Sequence, residues 1–369
     1  MKKLMILLCL MFQGTSWAAT CDWPAWQEFK SIYIVNGRVI DGSDARQITT
    51  SEGQSYGLFF ALVANDQRTF ATLLNWTQNQ LAEGDLTARL PAWLWGRQPS
   101  GRFGVLDANP ASDSDLWIAY TLAEAGRLWD NHYYQSLAYL MAIRILREET
   151  VDIEGMGTVL LPGVAGFELG DDSYKVNPSY VPLQLIQRMG DLYPHHAWSS
   201  MYQTSLAMIL KTMPVGFSPD WATLSQSQFS VDQQTGTTGS YNAIRTYLWA
   251  GMLNDDSNDK AKLVKAMQPM VAATAKLSAP PREVNAQNGR YQSAGSAGFS
   301  AALLPLLAVS NEPVLLAEQA KRASEQRVSK TDDHYYDNVL AMFGLGWHQQ
   351  RYRFGLNGEL EPAWTNQCQ

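Results

Sequence analysis

Cysteine and histidine are scarce in this chain of 369 residues, which holds three Cys and five His. No cluster of them has metal-ligand spacing. The adjacent His195 and His196 cannot share a helix face, so the sequence offers no metal site and points to no cofactor. Charge is sparse too: 17% of residues are Asp, Glu, Lys or Arg, the net charge is −7, and no basic run occurs. An acidic chain is a poor partner for nucleic acid or an anionic membrane. Long apolar runs are lacking, since the stretch from Leu4 to Phe12 is far short of the roughly 20 residues that span a bilayer. No low-complexity segment, linker-like composition shift or fixed-period repeat is found. What is left is a globular chain, 46% hydrophobic, able to bury a sizeable core.

The first residues read as a secretory signal. Lys2 and Lys3 give the charged start, Leu4 to Phe12 the apolar centre, and Ser16-Trp17-Ala18 the small residues of a cleavage site. Cleavage is expected after Ala18, with a start after Ala19 as the alternative, leaving one domain over 19–369 in the periplasm or outside the cell. Cys9 lacks the preceding small residue of a lipoprotein signal. Loss of Lys2 and Lys3 takes the net charge to −9 and leaves two cysteines, Cys21 and Cys368, at opposite ends of the mature chain. In an oxidising compartment these are expected to form a disulfide.

Apolar periodicity predicts helices near 22–34, 51–65, 68–83, 114–129, 132–148, 179–190, 196–212, 240–253, 259–276, 298–309, 313–327 and 334–349. Strand-like alternation is scarce, with short hairpins expected only within 151–169 and 350–361. Helix after helix joined by short turns implies an all-α fold of helical hairpins. Termini tied together suit a closed ring better than an open solenoid. The expected fold is therefore a single-domain α/α toroid.

Two segments place acids where buried helices begin. Thr49, Thr50 and Ser51 are cap-type residues ahead of Glu52 and the apolar run from Leu58 to Ala64. Ala111-Ser112-Asp113-Ser114-Asp115 leads in the same way into a run beginning at Leu116. Such acids can be plain complements of the helix dipole, and Ser112 a plain cap. They can equally be general acids facing a cleft. In a ring of helices with equal polarity, the mouths carrying Glu52 and Asp113 gather at one end. The chain is also rich in aromatics, with 13 Trp, 16 Tyr and 12 Phe. Most belong to the core, but Trp93, Trp95, Tyr180, Trp221, Tyr241 and Tyr335 are candidates to stack on sugar rings.

Together these segments resemble glycoside hydrolase family 8, in particular the periplasmic β-1,4-glucanases that accompany bacterial cellulose synthase. The resemblance runs through Cys21-Asp22-Trp23-Pro24-Ala25-Trp26, Ile48 to Gly57, Leu90-Pro91-Ala92-Trp93-Leu94-Trp95-Gly96, Ala111 to Asp115, Asn177-Pro178-Ser179-Tyr180, Gly216 to Trp221 and Gly298 to Ala302. It implies an (α/α)6 barrel and inverting, endo-acting cleavage of β-1,4-glucan chains such as cellulose. It also implies Glu52 as proton donor, Asp113 as nucleophile, base or a residue holding the sugar before the cut, and a possible partner in the cellulose synthase export complex. Relatives act on xylan, chitosan or mixed-linkage glucan.

One position departs from the family pattern. The resemblance places the general base at the Asp of a Ser-Tyr-Asp-Ala-Ile-Arg segment, and this chain reads Ser240-Tyr241-Asn242-Ala243-Ile244-Arg245. An amide can orient a water but cannot take its proton. Either another carboxylate is the base, Asp113 first and Asp115 or Asp220 after it, or the protein is a weakened form that binds and guides glucan. A third explanation, an Asn introduced to trap substrate, fits poorly with a chain that keeps its leader. An all-α interaction scaffold without sugar chemistry is the remaining class. A smaller departure is Ser114, where the family prefers Ala or Gly. Arg245 is expected to pair with an aspartate rather than Glu52, because a salt link would hold the acid ionised.

Overall fold

In the computed structural model the described residues are 22–232, 234–325 and 334–365. The leader, Cys21 and Cys368 lie outside them. Thirteen α-helices occur among the described residues: α1 (Pro24–Tyr33), α2 (Ser51–Val63), α3 (Gln67–Leu81), α4 (Ser112–Leu128), α5 (His132–Glu148), α6 (Leu183–Leu192), α7 (Trp198–Thr212), α8 (Ala243–Met252), α9 (Asn258–Ala266), α10 (Gln268–Leu277), α11 (Ala297–Ala308), α12 (Pro313–Glu325) and α13 (Tyr335–His348). None of the described helices is long and apolar enough to cross a membrane.

The helices fall into two classes by burial. Every residue of α2 except Glu52 is buried, as is all of α8, and α4, α11 and α13 are buried over most of their surface. Helices apolar all round belong inside a large core. By contrast α3, α5, α7 and α12 bury one stripe only. Inner helices follow one another around the ring as α2, α4, α6, α8, α11 and α13, each neighbour in contact with the next. The ring closes where Phe343 of α13 meets Tyr56, Phe59 and Phe60 of α2 at 4.9, 5.5 and 4.7 Å between ring centres. Inner and outer helices alternate along the chain, so every inner helix runs in the same direction. At Gly344 a Cβ would lie 1.8 Å from the carbonyl oxygen of Ala301, so only glycine lets α13 approach α11 this closely.

The expected helix over 259–276 is two helices. Pro269 lies in the first turn of α10, where its missing N–H costs nothing, while its ring breaks the turn before it. The two expected hairpins occur as Thr150–Ile153 with Gly157–Leu160 and Tyr352–Phe354 with Leu360–Pro362. Four further small sheets occur among the described residues and were not anticipated. They are built on Ile34–Val35 with Arg38–Val39, on Leu94–Arg97 with Phe103–Asp107, on Ser173–Val176 with Ala222–Ser225, and on Pro281–Asn285 with Tyr291–Ala294. Their strands are only two to five residues long, too short to show a period of two.

Candidate active site

The mouths of the inner helices are pinned to one another. Thr50 caps α2, its Oγ1 accepting from the Gly53 amide at 3.0 Å. Gly53 is small because a Cβ there would sit 2.7 Å from the Tyr335 hydroxyl. Gln54 is fully buried, accepting from the Val39 amide and donating to Gly37 and Thr77. Ser51 meets Ser114 of α4 hydroxyl to hydroxyl at 2.6 Å, and Ser114 also donates to the Ala111 carbonyl. The departure at Ser114 thus supplies the bond that sets Glu52 and Asp113 side by side. Ser112 does not cap α4; its hydroxyl is buried with no hydrogen-bond partner among the described residues.

Arg245, buried in the first turn of α8, is the hub. Its Nη1 donates to Glu52 Oε2 at 3.0 Å and to the Tyr336 hydroxyl at 2.7 Å. Its Nη2 donates to Asn242 Oδ1 at 3.1 Å and Ser179 Oγ at 3.2 Å, and lies 3.6 Å from Asp113 Oδ2. The expectation that Arg245 would avoid Glu52 is therefore corrected. The guanidinium fork spans both carboxylates, and Glu52 is the nearer one. Exposure differs across the pair: the Glu52 side chain is 22% exposed and that of Asp113 only 4%. Burial, and after it the charge of Glu52, pushes the Asp113 carboxyl up to about 7. Near neutral pH the Asp113 carboxyl is therefore protonated in about half of the molecules.

The arrangement bears on each candidate base. Asp113 shares the Arg245 guanidinium with Glu52, whereas an acid and base on opposite faces of a sugar stand about 6.5–9.5 Å apart. Asp115 is fully buried. Asp220 accepts the backbone amides of Ser240, Asn242 and Ala243 at 2.8, 3.1 and 2.8 Å through one oxygen, and so caps the start of α8. Burial raises its pKa while those three amides pull it down. Asn242 is half-buried at the mouth of α8, on the same guanidinium as the acids.

A line of aromatics flanks this cluster. Trp221 meets Tyr180 at 6.0 Å, and Tyr180 and Tyr336 lie 5.8 and 5.9 Å from the Arg245 guanidinium. Tyr336 meets Tyr241, which is 45% exposed, at 6.0 Å. Trp93 is half-buried beside the acid, its carbonyl accepting from the Ser51 amide at 3.0 Å. Two expected stacking residues fall elsewhere. Trp95 is covered by Arg38 at 4.4 Å and Phe103 at 5.3 Å. Tyr335 packs on Phe29 and Tyr33 in the core. Its neighbour Tyr336 is the residue in the site, and sequence reading missed it. Tyr335, Val339 and Met342 follow helical spacing and mark the buried stripe of α13, so the signal for choosing Tyr336 was present.

The sequence profile described as Glycosyl hydrolases family 8 matches residues 2–350. The chain belongs to glycosyl hydrolase family 8. Among curated relatives of this family 8 chain, an endoglucanase of Salmonella typhi is 45% identical over 368 residues, covering 98% of this chain and 97% of its own. An endoglucanase of Escherichia coli K12 is 44% identical over 371 residues, with the same coverage. A solved structure of an endo-1,4-D-glucanase from Vibrio fischeri ES114 superposes with a TM-score of 0.91 at 52% identity, covering 94% of this chain and all of that one. The ring of inner and outer helices is the family's (α/α)6 barrel.

Proposed function

We propose that this glycosidase is an endo-acting β-1,4-glucanase that works with inversion, and that its hydrolysis is slow because its base position holds an amide. The observation that carries this reading is the cluster on Arg245, which gathers Glu52, Asp113 and Asn242 at the mouths of three inner helices. Glu52 is the proton donor: it is the more exposed carboxyl and stands at the mouth of α2, where it can meet a leaving oxygen. Asp113, buried and crowded against Glu52, binds and orients the sugar before the cut. Asn242 holds the attacking water through its amide without accepting a proton. Trp93, Tyr180, Trp221, Tyr241 and Tyr336 offer ring faces along the cluster, which suits an internal stretch of glucan. The curated relatives described as endoglucanases support the same substrate class.

The weakened form that binds and guides glucan remains the second reading, favoured by Asn242 alone. The export signal and acidic mature chain suit action outside the cytoplasm, on glucan leaving a synthase. The test is carboxymethyl cellulose digestion followed by viscosity and by reducing ends, with the anomer of fresh product read by NMR. A drop in viscosity that runs ahead of the slow release of reducing ends, an inverted first product and loss of both signals in Glu52→Gln are expected. Glucan binding without turnover would favour the guiding reading, and no binding at all would remove both.

A further inference from the structure

Behind Asp113 lies a second pair of acids that the reaction does not touch. Asp115 and Glu149 are both fully buried. Their carboxyls are near enough to act on each other, and none of the four carboxyl oxygens has a hydrogen-bond partner among the described residues. The charged groups that face them are the acids Asp113 and Glu148. Arg144, the basic side chain beside Glu148 on α5, is held by Glu148 at 2.6 Å. Two carboxyls in contact, out of water and without a cation, stay together only if a proton lies between them.

The pair occupies a specific place. Asp113 and Asp115 are two residues apart in the first turn of α4 and so point to different sides, one to the sugar site and one into the barrel wall. Glu149 follows the end of α5. Its carbonyl accepts from the Leu161 amide at 2.8 Å, and the next carbonyl, of Pro162, accepts from the Ser112 amide at 3.1 Å. The Asp115–Glu149 contact closes this loop and fixes the turn that carries Asp113.

We propose that Asp115 and Glu149 form a proton-sharing acid pair that positions Asp113 and sets the pH at which it ionises. The pair shares one proton and keeps one negative charge. That charge adds to the charge of Glu52 in opposing ionisation of Asp113. Burial, the largest cause, holds both members well above the ordinary carboxylate range. The positioning half of the inference rests on the role given to Asp113 above; the shared proton does not.

Three measurements test it. In wild-type protein with 13C-labelled Asp and Glu, carboxyl NMR at pH 8 is expected to show a protonated carboxyl that disappears in Asp115→Asn/Glu149→Gln. If every carboxyl is ionised by pH 6, the shared proton is refuted whether or not any variant folds. Groups whose folded pKa is raised weaken the fold as pH rises above their unfolded pKa near 4. The double variant is therefore expected to gain Tm relative to wild type between pH 5 and pH 8, and an unchanged difference counts against the pair. Finally, the ionisation seen in kcat/KM against pH is expected to move down by about one pH unit in the double variant. Superimposable profiles would reduce the pair to packing and overturn the proposal. Full activity in Asp113→Asn would instead refute the role of Asp113, leaving the NMR result to decide the shared proton.

Discussion

Asn242→Asp is the most informative single change in this protein. It places a carboxylate where the Asn242 carbonyl oxygen now lies, 3.1 Å from Arg245 Nη2. At an effective dielectric of 20 this contact is an attraction of about 5 kcal/mol, opposed by desolvation and by the charges of Glu52 and Asp113. Asp and Asn have nearly the same shape, so the terms largely offset and Tm is expected to stay within a few degrees. The chemistry changes far more. A positioned general base contributes about 10²–10⁴-fold, which is roughly 2.7–5.4 kcal/mol of barrier. The gain is expected in kcat, with KM for carboxymethyl cellulose little altered, because the aromatic faces that hold the glucan are untouched. The new carboxylate must be ionised to act, so activity gains an acid limb absent from wild type. The assay is initial-rate release of reducing ends across pH 4–9. A wild type already turning over as fast as Asn242→Asp would refute the reasoning and show that another group supplies the base.

Other outcomes follow from the same contacts. Glu52→Gln is expected to lower kcat at least 100-fold, within the usual range for a general acid, with circular dichroism and Tm preserved. Arg245→Met leaves Glu52 and Asp113 adjacent without a cation; loss of one partner from a buried pair costs about 3–5 kcal/mol, read by urea unfolding, unless the acids take up protons. Asp113 has a folded pKa raised to about 7, so its contribution is greatest below pH 4 and falls as pH rises to 7. Asp113→Asn is therefore expected to gain Tm relative to wild type over that window, and a flat difference would contradict the assigned shift. At the far end of α4, buried Glu124 accepts from Arg127, Arg188 and the Leu360 amide. Glu124→Ala leaves Arg188 with Asp191 as its remaining acid partner at 2.6 Å and is expected to destabilise by about 3 kcal/mol without changing KM.

Much of this architecture is legible in the chain itself. The run of buried helices gave the toroid, because an inner helix must be apolar on every face and an outer one on a single stripe. Helix-start signals placed Glu52 and Asp113 correctly, since cap residues and acids at a buried helix mouth have a local physical cause. Beyond the two expected hairpins the short sheets were not legible: strands of two to five residues owe their existence to the partner they pair with. Tyr335 and Tyr336 illustrate the same limit at one residue's resolution, where a turn of about 100° separates a core ring from a site ring.

What the sequence determined alone is the set of groups available: two acids at helix mouths, the amide of Asn242 at a third, and a ring fold that brings the mouths together. Only the tertiary structure decided how those groups share one guanidinium. Arg245 is 193 residues from Glu52, and no local rule links them. The nearness of Glu52 to Asp113, the covering of Trp95 and the closed pair of Asp115 with Glu149 are likewise properties of packing, because burial and proximity, rather than residue type, determine where a proton resides.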